Sequence, residues 1–170
     1  MEPTANSLIL MFTDVIGSSE IFDQLGDNSA YQVIELHDHV VRTVIGEFGG
    51  AVVKQTGDGM LAIFSEGDAA VTAAIEIQRK LVEHNETSPQ NSLQVGIGIN
   101  AGDVIANDTE LYGTSVNLAA RICSLAGAGE IIVTGSVRSR CSNGLEFTFQ
   151  GRHRVKGFHD LIPMHKVVWS

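Results

Sequence analysis

The sequence predicts an α+β fold built on one sheet, and two observations lead to this. Strand-like and helix-like runs follow one another in the order β, α, β, β, α, β through the N-terminal part of the chain. The second and third strand-like runs are joined by Thr-Gly-Asp-Gly at residues 56–59, and an Asp-Gly pair between apolar runs is typical of a β-hairpin. With 170 residues, 44% of them hydrophobic, the chain is long enough for one well-buried core.

The N-terminal elements correspond to a split βαβ unit of the ferredoxin-like kind. The apolar run at 7–13 is typical of a central strand buried on both faces, and the small residues at 15–19 can begin a helix. Apolar residues at helical spacing predict a helix over 31–48, which Gly49 and Gly50 end. The remaining predicted elements are strands at 51–55 and 60–64, a helix at 67–83 and a strand at 93–101. This order predicts helices on one face of the sheet and places the end of the first strand beside the hairpin.

Additional C-terminal α/β elements follow this unit. They are a helix over 113–125, a strand at 131–133, a short helix near 136–141 and terminal strands around Phe147 and Val167. The sequence contains no internal repeat, no low-complexity segment and no visible domain boundary. We therefore predict a single domain over residues 1–170, with its core at about 8–168.

Composition and charge exclude several classes of partner. The formal net charge of −9 argues against a nucleic acid or an anionic membrane, because both require clustered Lys and Arg. Cys123 and Cys141 form neither a C-x-x-C motif nor a disulfide framework, which fits a reducing compartment. No apolar run of about 18 residues and no basic-then-apolar N-terminus is present. We expect a cytoplasmic protein with no membrane segment in this chain.

A pair of aspartates is the most informative feature of the sequence. Asp14 ends the first strand-like run and Asp58 lies at the predicted hairpin tip, so the two can meet at one edge of the sheet. Two carboxylates there can bind two hard cations about 3.5–4 Å apart. The residues after Asp14 offer N–H groups at a helix start to phosphate oxygens; they are Val15, Ile16, Gly17 and Ser18. The alternative is that Asp14 only caps the helix and Asp58 only forms the turn. We favour the metal site and, with it, a nucleotide-processing enzyme.

Three further polar residues are candidates for the same site. Lys54 stands four residues before Asp58 and is close enough to the hairpin tip to reach a base or a phosphate, although a strand lysine is more often a solvated edge residue. Asn117 and Arg121 lie one turn apart on the predicted helix, whose apolar side is Val116, Ala119, Ala120 and Cys123. Such a pair is usually surface, but the small residues before it let a ligand approach, and an arginine can stabilise charge on phosphate oxygens. The six histidines lack metal-site spacing, and we interpret them as structural or surface residues.

These motifs resemble one family over nearly the whole chain, the class III nucleotidyl cyclase catalytic domains of the adenylate cyclase type. The resemblance is carried by FTDVIGSS, KQTGDGMLAIF, GINAGDVI, LYGTSVNLAARICSLA and RVKGF. A single piece such as GDG is weakly specific. The order FTD, then K-x-x-G-D-G, then V-N-x-A-x-R is highly specific.

The resemblance implies a role for each candidate. Asp14 and Asp58 match the metal-binding aspartates, which hold two Mg²⁺ or Mn²⁺ ions so that the ribose 3′-hydroxyl of ATP attacks the α-phosphate and pyrophosphate leaves. Lys54 matches the lysine that donates to the adenine ring. Asn117 and Arg121 match the pair that orients the ribose and stabilises the transition state. In this family the aspartates and the Asn/Arg pair come from opposite subunits, so the resemblance implies a head-to-tail homodimer and an inactive lone chain.

Of the remaining substrate contacts, one departs from the family pattern. Lys156 matches a lysine that contacts the triphosphate, and Gly57 in the hairpin turn is also assigned to substrate binding. The second base-reading position, usually Asp or Thr in adenylate cyclases, is Glu110 here. A glutamate can still accept from the adenine amino group, but its extra methylene shifts the oxygen, and such polar contacts decide specificity.

Three hypotheses follow, of which we favour an active adenylate cyclase. The second is a silent nucleotide-binding and dimerisation module, which only Glu110 supports. The third is a guanylate cyclase, which Lys54 opposes because that family usually has glutamate there. Domains of this family commonly follow a sensor domain, so the resemblance also implies an upstream sensor domain or regulator as a further partner.

Overall fold

The computed structural model describes residues 4–106 and 110–170. The strands are β1 (Thr4–Val15), β2 (Ala51–Thr56), β3 (Gly59–Phe64), β4 (Val95–Ala106), β5 (Leu111–Tyr112), β6 (Ile131–Thr134), β7 (Glu146–His153) and β8 (Ile162–Val168). The α-helices are α1 (Ser18–Leu25), α2 (Asp27–Glu47), α3 (Gly67–Thr87), α4 (Thr114–Leu125) and α5 (Gly135–Arg138), and Pro89–Asn91 form one 3₁₀ turn.

All eight strands belong to one sheet with the order β2-β3-β1-β4-β6-β8-β7, and β5 pairs with β4. Strand β1 lies between β3 and β4 and is antiparallel to both. Strand β4 continues to β6 in a parallel pairing, and antiparallel β8 and β7 complete the sheet. The predicted βαββαβ unit is therefore confirmed, and the C-terminal elements extend the same sheet.

Helices cover both faces of this sheet. Ile9 and Met11 of β1 point into the main core with the buried residues of α2 and α3. Leu10, between them in sequence, points to the other face, where it packs with Ala119 of α4. The prediction of helices on one face holds for α1 to α3, whereas α4 lies on the opposite face. Residues 9–11 are all buried, as expected for a central strand.

Several element bounds differ from the predicted ones. The first helical region is two helices separated by Gly26, whose φ of 79° interrupts the helix. Strand β4 runs on to Ala106 because its second half pairs with the beginning of β1, so Gly102 and Asp103 lie within a strand in spite of their turn preference. The two-residue β5 was not predicted.

Within the described ranges, no helix combines the length and the apolar character needed to cross a lipid bilayer.

Candidate active site

The two aspartates meet at the end of β1. Asp14 pairs with Gly59 at the start of β3, and Asp58 immediately precedes Gly59 in the sequence. Thr56 pairs with Gly59, so the turn consists of Gly57 and Asp58. Gly57, at the first turn position, has a φ of 64°, a conformation that glycine adopts readily. The sequence had suggested that Asp58 and Gly59 form the turn, and this prediction was wrong. Asp58 is at the hairpin tip, as predicted.

The two carboxyl groups share a hydrogen bond, and their pKa values move apart. Burial, followed by the hydrogen bond and the negative charge of Asp58, raises the pKa of Asp14 to about 7, against a smaller opposite effect of the Val15 N–H. Burial would also raise the pKa of Asp58, but hydrogen bonds from Asp14 and Ser18 hold it below its usual value. Close carboxylates behave in this way because both cannot ionise at the same low cost. The two carboxyl groups therefore differ in acidity, with Asp58 the more readily ionised of the two.

The donor set fits hard divalent cations. Mg²⁺ and Mn²⁺ prefer oxygen ligands, and Mg²⁺ is usually held by one or two carboxylates together with substrate phosphates and water. No cluster of three or more His, Cys, Asp or Glu occurs in the part of the chain that the structure describes. Asp14 and Asp58 would thus hold the cations jointly with the triphosphate.

The segment after Asp14 lies beside the same carboxylates. Gly17 has a φ of 69° and precedes α1, and the Ser18 side chain at the start of that helix hydrogen-bonds to Asp58. The N–H of Ile16 donates to the Gln94 carbonyl at 2.8 Å, so in this conformation it is engaged within the fold. The N–H of Val15 bonds to Asp14. The first N–H groups of α1, beginning at Ser18, have no partner within the helix and are the better candidates for phosphate oxygens.

Lys54 and Glu110, the two predicted base-reading residues, are neighbours. The Lys54 Nζ atom lies 3.7 Å from Oε2 of Glu110, and the two side chains are 48% and 42% exposed. A register shift between Val52 and Lys54 bends β2 just before the lysine, as β-bulges do. The structure thus brings together two polar groups that are far apart in sequence, at the edge of the sheet.

The remaining predicted residues are exposed and form no ion pair with the aspartates of the same chain, among the described residues. Asn117 and Arg121 are one turn apart on the exposed face of α4. Among the described residues, neither aspartate forms an ion pair with Arg121. Lys156 is exposed in a turn between β7 and β8, where Gly157 has a φ of 91°. Ala120, predicted to line the apolar side of the helix, is exposed beside Arg121.

Sequence reasoning missed a buried polar group behind the aspartates. His37 of α2 is completely buried, and its Nε2 atom lies 3.3 Å from the hydroxyl of Thr13. Its other ring nitrogen bonds to Asp38, which in turn accepts from Gln55. Burial lowers the pKa of His37, although Asp38 and Asp58 act in the opposite direction. The signal was present, since His37 stands at helical spacing between the apolar residues Val33 and Val41.

A ferredoxin-like unit with C-terminal strands added to its sheet, and with two facing carboxylates at the end of its central strand, is typical of nucleotidyl cyclase catalytic domains. The sequence profile of the family described as "Adenylate and Guanylate cyclase catalytic domain" matches residues 2–168. The chain belongs to this family, of class III.

Curated relatives agree at modest identity. "Putative adenylate cyclase 3" of Rhizobium meliloti (strain 1021) is 27% identical over 164 residues, which cover 95% of this chain and 28% of the relative. "Adenylate cyclase" of Streptomyces coelicolor is 31% identical over 129 residues, or 74% of this chain and 32% of the relative. The chain spans about a third or less of the length of these proteins.

Solved structures share the fold over the whole chain. The adenylyl cyclase CyaB from P. aeruginosa superposes with a TM-score of 0.91 at 23% identity, covering 100% of this chain and 97% of the other. An "Adenylate/Guanylate Cyclase/Hydrolase" from Silicibacter pomeroyi has a TM-score of 0.79 at 31% identity, with 97% and 98% covered.

Proposed function

We propose that the protein is an adenylate cyclase that converts ATP to 3′,5′-cyclic AMP and pyrophosphate. The observation that carries the proposal is the hydrogen-bonded pair of carboxylates, Asp14 and Asp58, at the end of the central strand. In the reaction the ribose 3′-oxygen forms a bond to the α-phosphorus, the bond from that phosphorus to the pyrophosphate oxygen breaks, and the hydroxyl proton is released. When bound, two Mg²⁺ or Mn²⁺ ions supply activation of the hydroxyl and neutralisation of the phosphate charge.

The Lys54 and Glu110 pair supports ATP as the substrate. In the proposed complex Lys54 donates to a ring nitrogen of adenine and Glu110 accepts from the 6-amino group. The ion pair between them orients both side chains before the base arrives. A polar site of this kind discriminates strongly, because a base with the wrong pattern leaves a charged group unpaired.

The active site is proposed to form between two copies of the chain. Asn117 and Arg121 are exposed and form no ion pair with the aspartates of their own chain, within the described residues. Large apolar side chains are exposed on and near the same helix, namely Ile105, Tyr112 and Leu125. Ile105 and Tyr112 are paired on neighbouring strands, and adjacent exposed apolar side chains favour a protein interface. In a head-to-tail homodimer, Asn117 would orient the ribose, Arg121 would stabilise charge on the α-phosphate, and Lys156 would contact the triphosphate.

A silent nucleotide-binding module is the second candidate. The observation that favours it is the ion pair itself, since Lys54 already has a carboxylate partner before any base is bound. A bound base must then replace Glu110 as the partner of Lys54, which reduces the net gain from binding it. A guanylate cyclase is a third possibility, which the same lysine opposes.

Cyclic nucleotide production from ATP and, separately, from GTP tests these proposals, with Mg²⁺ or Mn²⁺ and at several protein concentrations. Asp58→Asn is compared with Glu83→Gln, which removes one negative charge from an exposed position on α3. We expect cyclic AMP from the parent and from Glu83→Gln, and at least about 100-fold less from Asp58→Asn. A folded, dimeric parent that binds ATP and forms no product would establish the silent module instead. Specific activity should rise with protein concentration, and a flat profile would argue against a loosely associated shared site.

We also propose control by a sensor domain or regulator, because the matched region covers only 28% and 32% of two curated relatives. The cytoplasm is the proposed location, and the free cysteines Cys123 and Cys141 are consistent with its reducing conditions.

A further inference from the structure

A chain of polar side chains lies directly behind the two aspartates and has no part in the proposed reaction. Thr13 immediately precedes the first aspartate on β1, and its hydroxyl lies 3.3 Å from Nε2 of His37 on α2. Nδ1 of His37 lies 2.9 Å from Oδ1 of Asp38. Nε2 of Gln55 on β2 donates to the second oxygen of Asp38 at 2.7 Å. Three hydrogen bonds therefore connect the strand that ends in a metal ligand to the strand that carries the base-reading lysine.

The centre of this chain is in the core. His37 is 0% exposed and Thr13 is 2% exposed. The other buried residues of α2 are all apolar: Ala30, Val33, Val41, Val44 and Ile45. A polar ring in such a place lowers stability unless it is hydrogen-bonded, whereas an apolar residue of similar size would pack there without needing partners. His37 therefore adds two directed hydrogen bonds that packing alone does not require.

The direction of each hydrogen bond follows from the groups present. The Asp38 carboxylate only accepts, so Nδ1 of His37 carries the hydrogen that it donates. In a neutral imidazole Nε2 is then an acceptor and receives the hydroxyl hydrogen of Thr13. Asp38 also accepts from Gln55, so it is held from both sides. This assignment gives each of the four side chains one defined role and orientation.

We propose that His37, together with Asp38 and Gln55, is a positioning residue that holds the Asp14 end of β1 and the Lys54 segment of β2 in one fixed relation. Metal ligands must be held closely in place, and the groups behind them are the means of doing so. Thr13 and Asp14 are consecutive, and Gln55 directly follows Lys54. The inference rests on the proposed function, since it takes Asp14 as a cation ligand and Lys54 as the base-reading group.

Two substitutions near the surface break the chain without opening a cavity. Gln55→Met removes the donor to Asp38 at an exposed position. Asp38→Leu removes both oxygens that accept these hydrogen bonds, at a side chain that is 20% exposed and similar in size to leucine. Gln150→Met is the matched control, because Gln150 is an exposed strand glutamine on β7, at the opposite edge of the sheet. His37→Gln is added to test the ring itself, and the two surface variants decide the outcome because they do not alter the core.

The measurements are the Mn²⁺ affinity of the folded protein, from the electron paramagnetic resonance signal of free Mn²⁺, together with kcat, KM for ATP and the unfolding temperature. We expect Gln55→Met and Asp38→Leu to weaken Mn²⁺ binding and lower kcat by about tenfold or more, at an unfolding temperature within about 2 °C of the parent. Gln150→Met should match the parent in every measurement.

Mn²⁺ affinity and kcat within twofold of the parent in both variants would overturn the positioning role. The positioning role would also be overturned if Gln150→Met lost as much Mn²⁺ affinity and kcat as the two variants, or if the variants lost them only together with a lower unfolding temperature. A parent that forms no cyclic nucleotide but binds Mn²⁺ overturns the proposed function alone. In that case the Mn²⁺ affinities of the variants still decide the positioning role.

Discussion

Reversing the charge of Lys54 is the sharpest test of substrate choice. In Lys54→Glu, a carboxylate would face Glu110 where the lysine Nζ atom now lies 3.7 Å from Oε2. Both side chains are nearly half exposed, so a water-like dielectric applies, and one pair of unit charges at this distance interacts by about 1 kcal/mol. The attraction becomes a repulsion of similar size. The variant also loses a hydrogen bond from a charged donor to the base, which contributes about 1.5–3 kcal/mol.

Losing the attraction and gaining the repulsion costs about 2 kcal/mol, which together with the lost hydrogen bond predicts a loss of roughly 3.5–5 kcal/mol in transition-state binding of ATP. This corresponds to a fall in kcat/KM for ATP by about 2.5 to 3.5 powers of ten. The double variant Lys54→Glu with Glu110→Lys restores an attractive pair but reverses the order of donor and acceptor. It should therefore recover the electrostatic part of the loss, about 30-fold, without recovering the preference for ATP.

The assay is kcat/KM for ATP and for GTP in the parent and in each variant. Lys80→Glu is the matched control, because Lys80 on α3 lies 3.8 Å from Glu76 and is similarly exposed. It should leave both rates unchanged. If the ratio of kcat/KM for ATP to kcat/KM for GTP is unchanged in Lys54→Glu, the base-reading role is refuted. If Lys80→Glu loses as much activity as Lys54→Glu, the loss is caused by the change in net charge and not by the position of Lys54.

Two further predictions concern stability. Gly59→Ala should lower the unfolding temperature by several degrees and abolish activity, because its Cβ would lie 2.0 Å from the Thr13 carbonyl oxygen. Gly46→Ala, in an exposed turn of α2 with nothing within 4 Å, should instead stabilise by up to about 1 kcal/mol, and thermal unfolding compares the two. Burial lowers the pKa of His37, so its stabilising effect is complete above about pH 6.5 and is lost as the pH falls through the folded-state value. Denaturant unfolding should therefore show a steeper loss from pH 6.5 to 5 in the parent than in His37→Gln, and parallel curves would contradict this.

Local patterns were sufficient to predict the order of the elements. The apolar run before Asp14 and the hairpin around Asp58 were visible because strand and turn preferences act over a few residues. The same patterns failed where pairing or packing overrode them. Gly102 and Asp103 are in a strand because β1 pairs with them, and the turn at Asp58 is formed with the preceding glycine.

The sequence by itself determined the fold class, the two aspartates as a pair at the end of the first strand, and the family, because the strand and turn preferences and the motifs behind them each lie within a few neighbouring residues. Tertiary structure alone decided the contact of Lys54 with Glu110 and the chain of hydrogen bonds through His37. These contacts join side chains from elements that are far apart in sequence. The spacing of residues within one element does not predict how far it lies from another element. Packing likewise decided that α4 lies on the face opposite α2 and α3. Side chains of β1 point alternately to the two faces of the sheet, so Leu10 packs against α4 while Ile9 and Met11 pack into the core with α2 and α3.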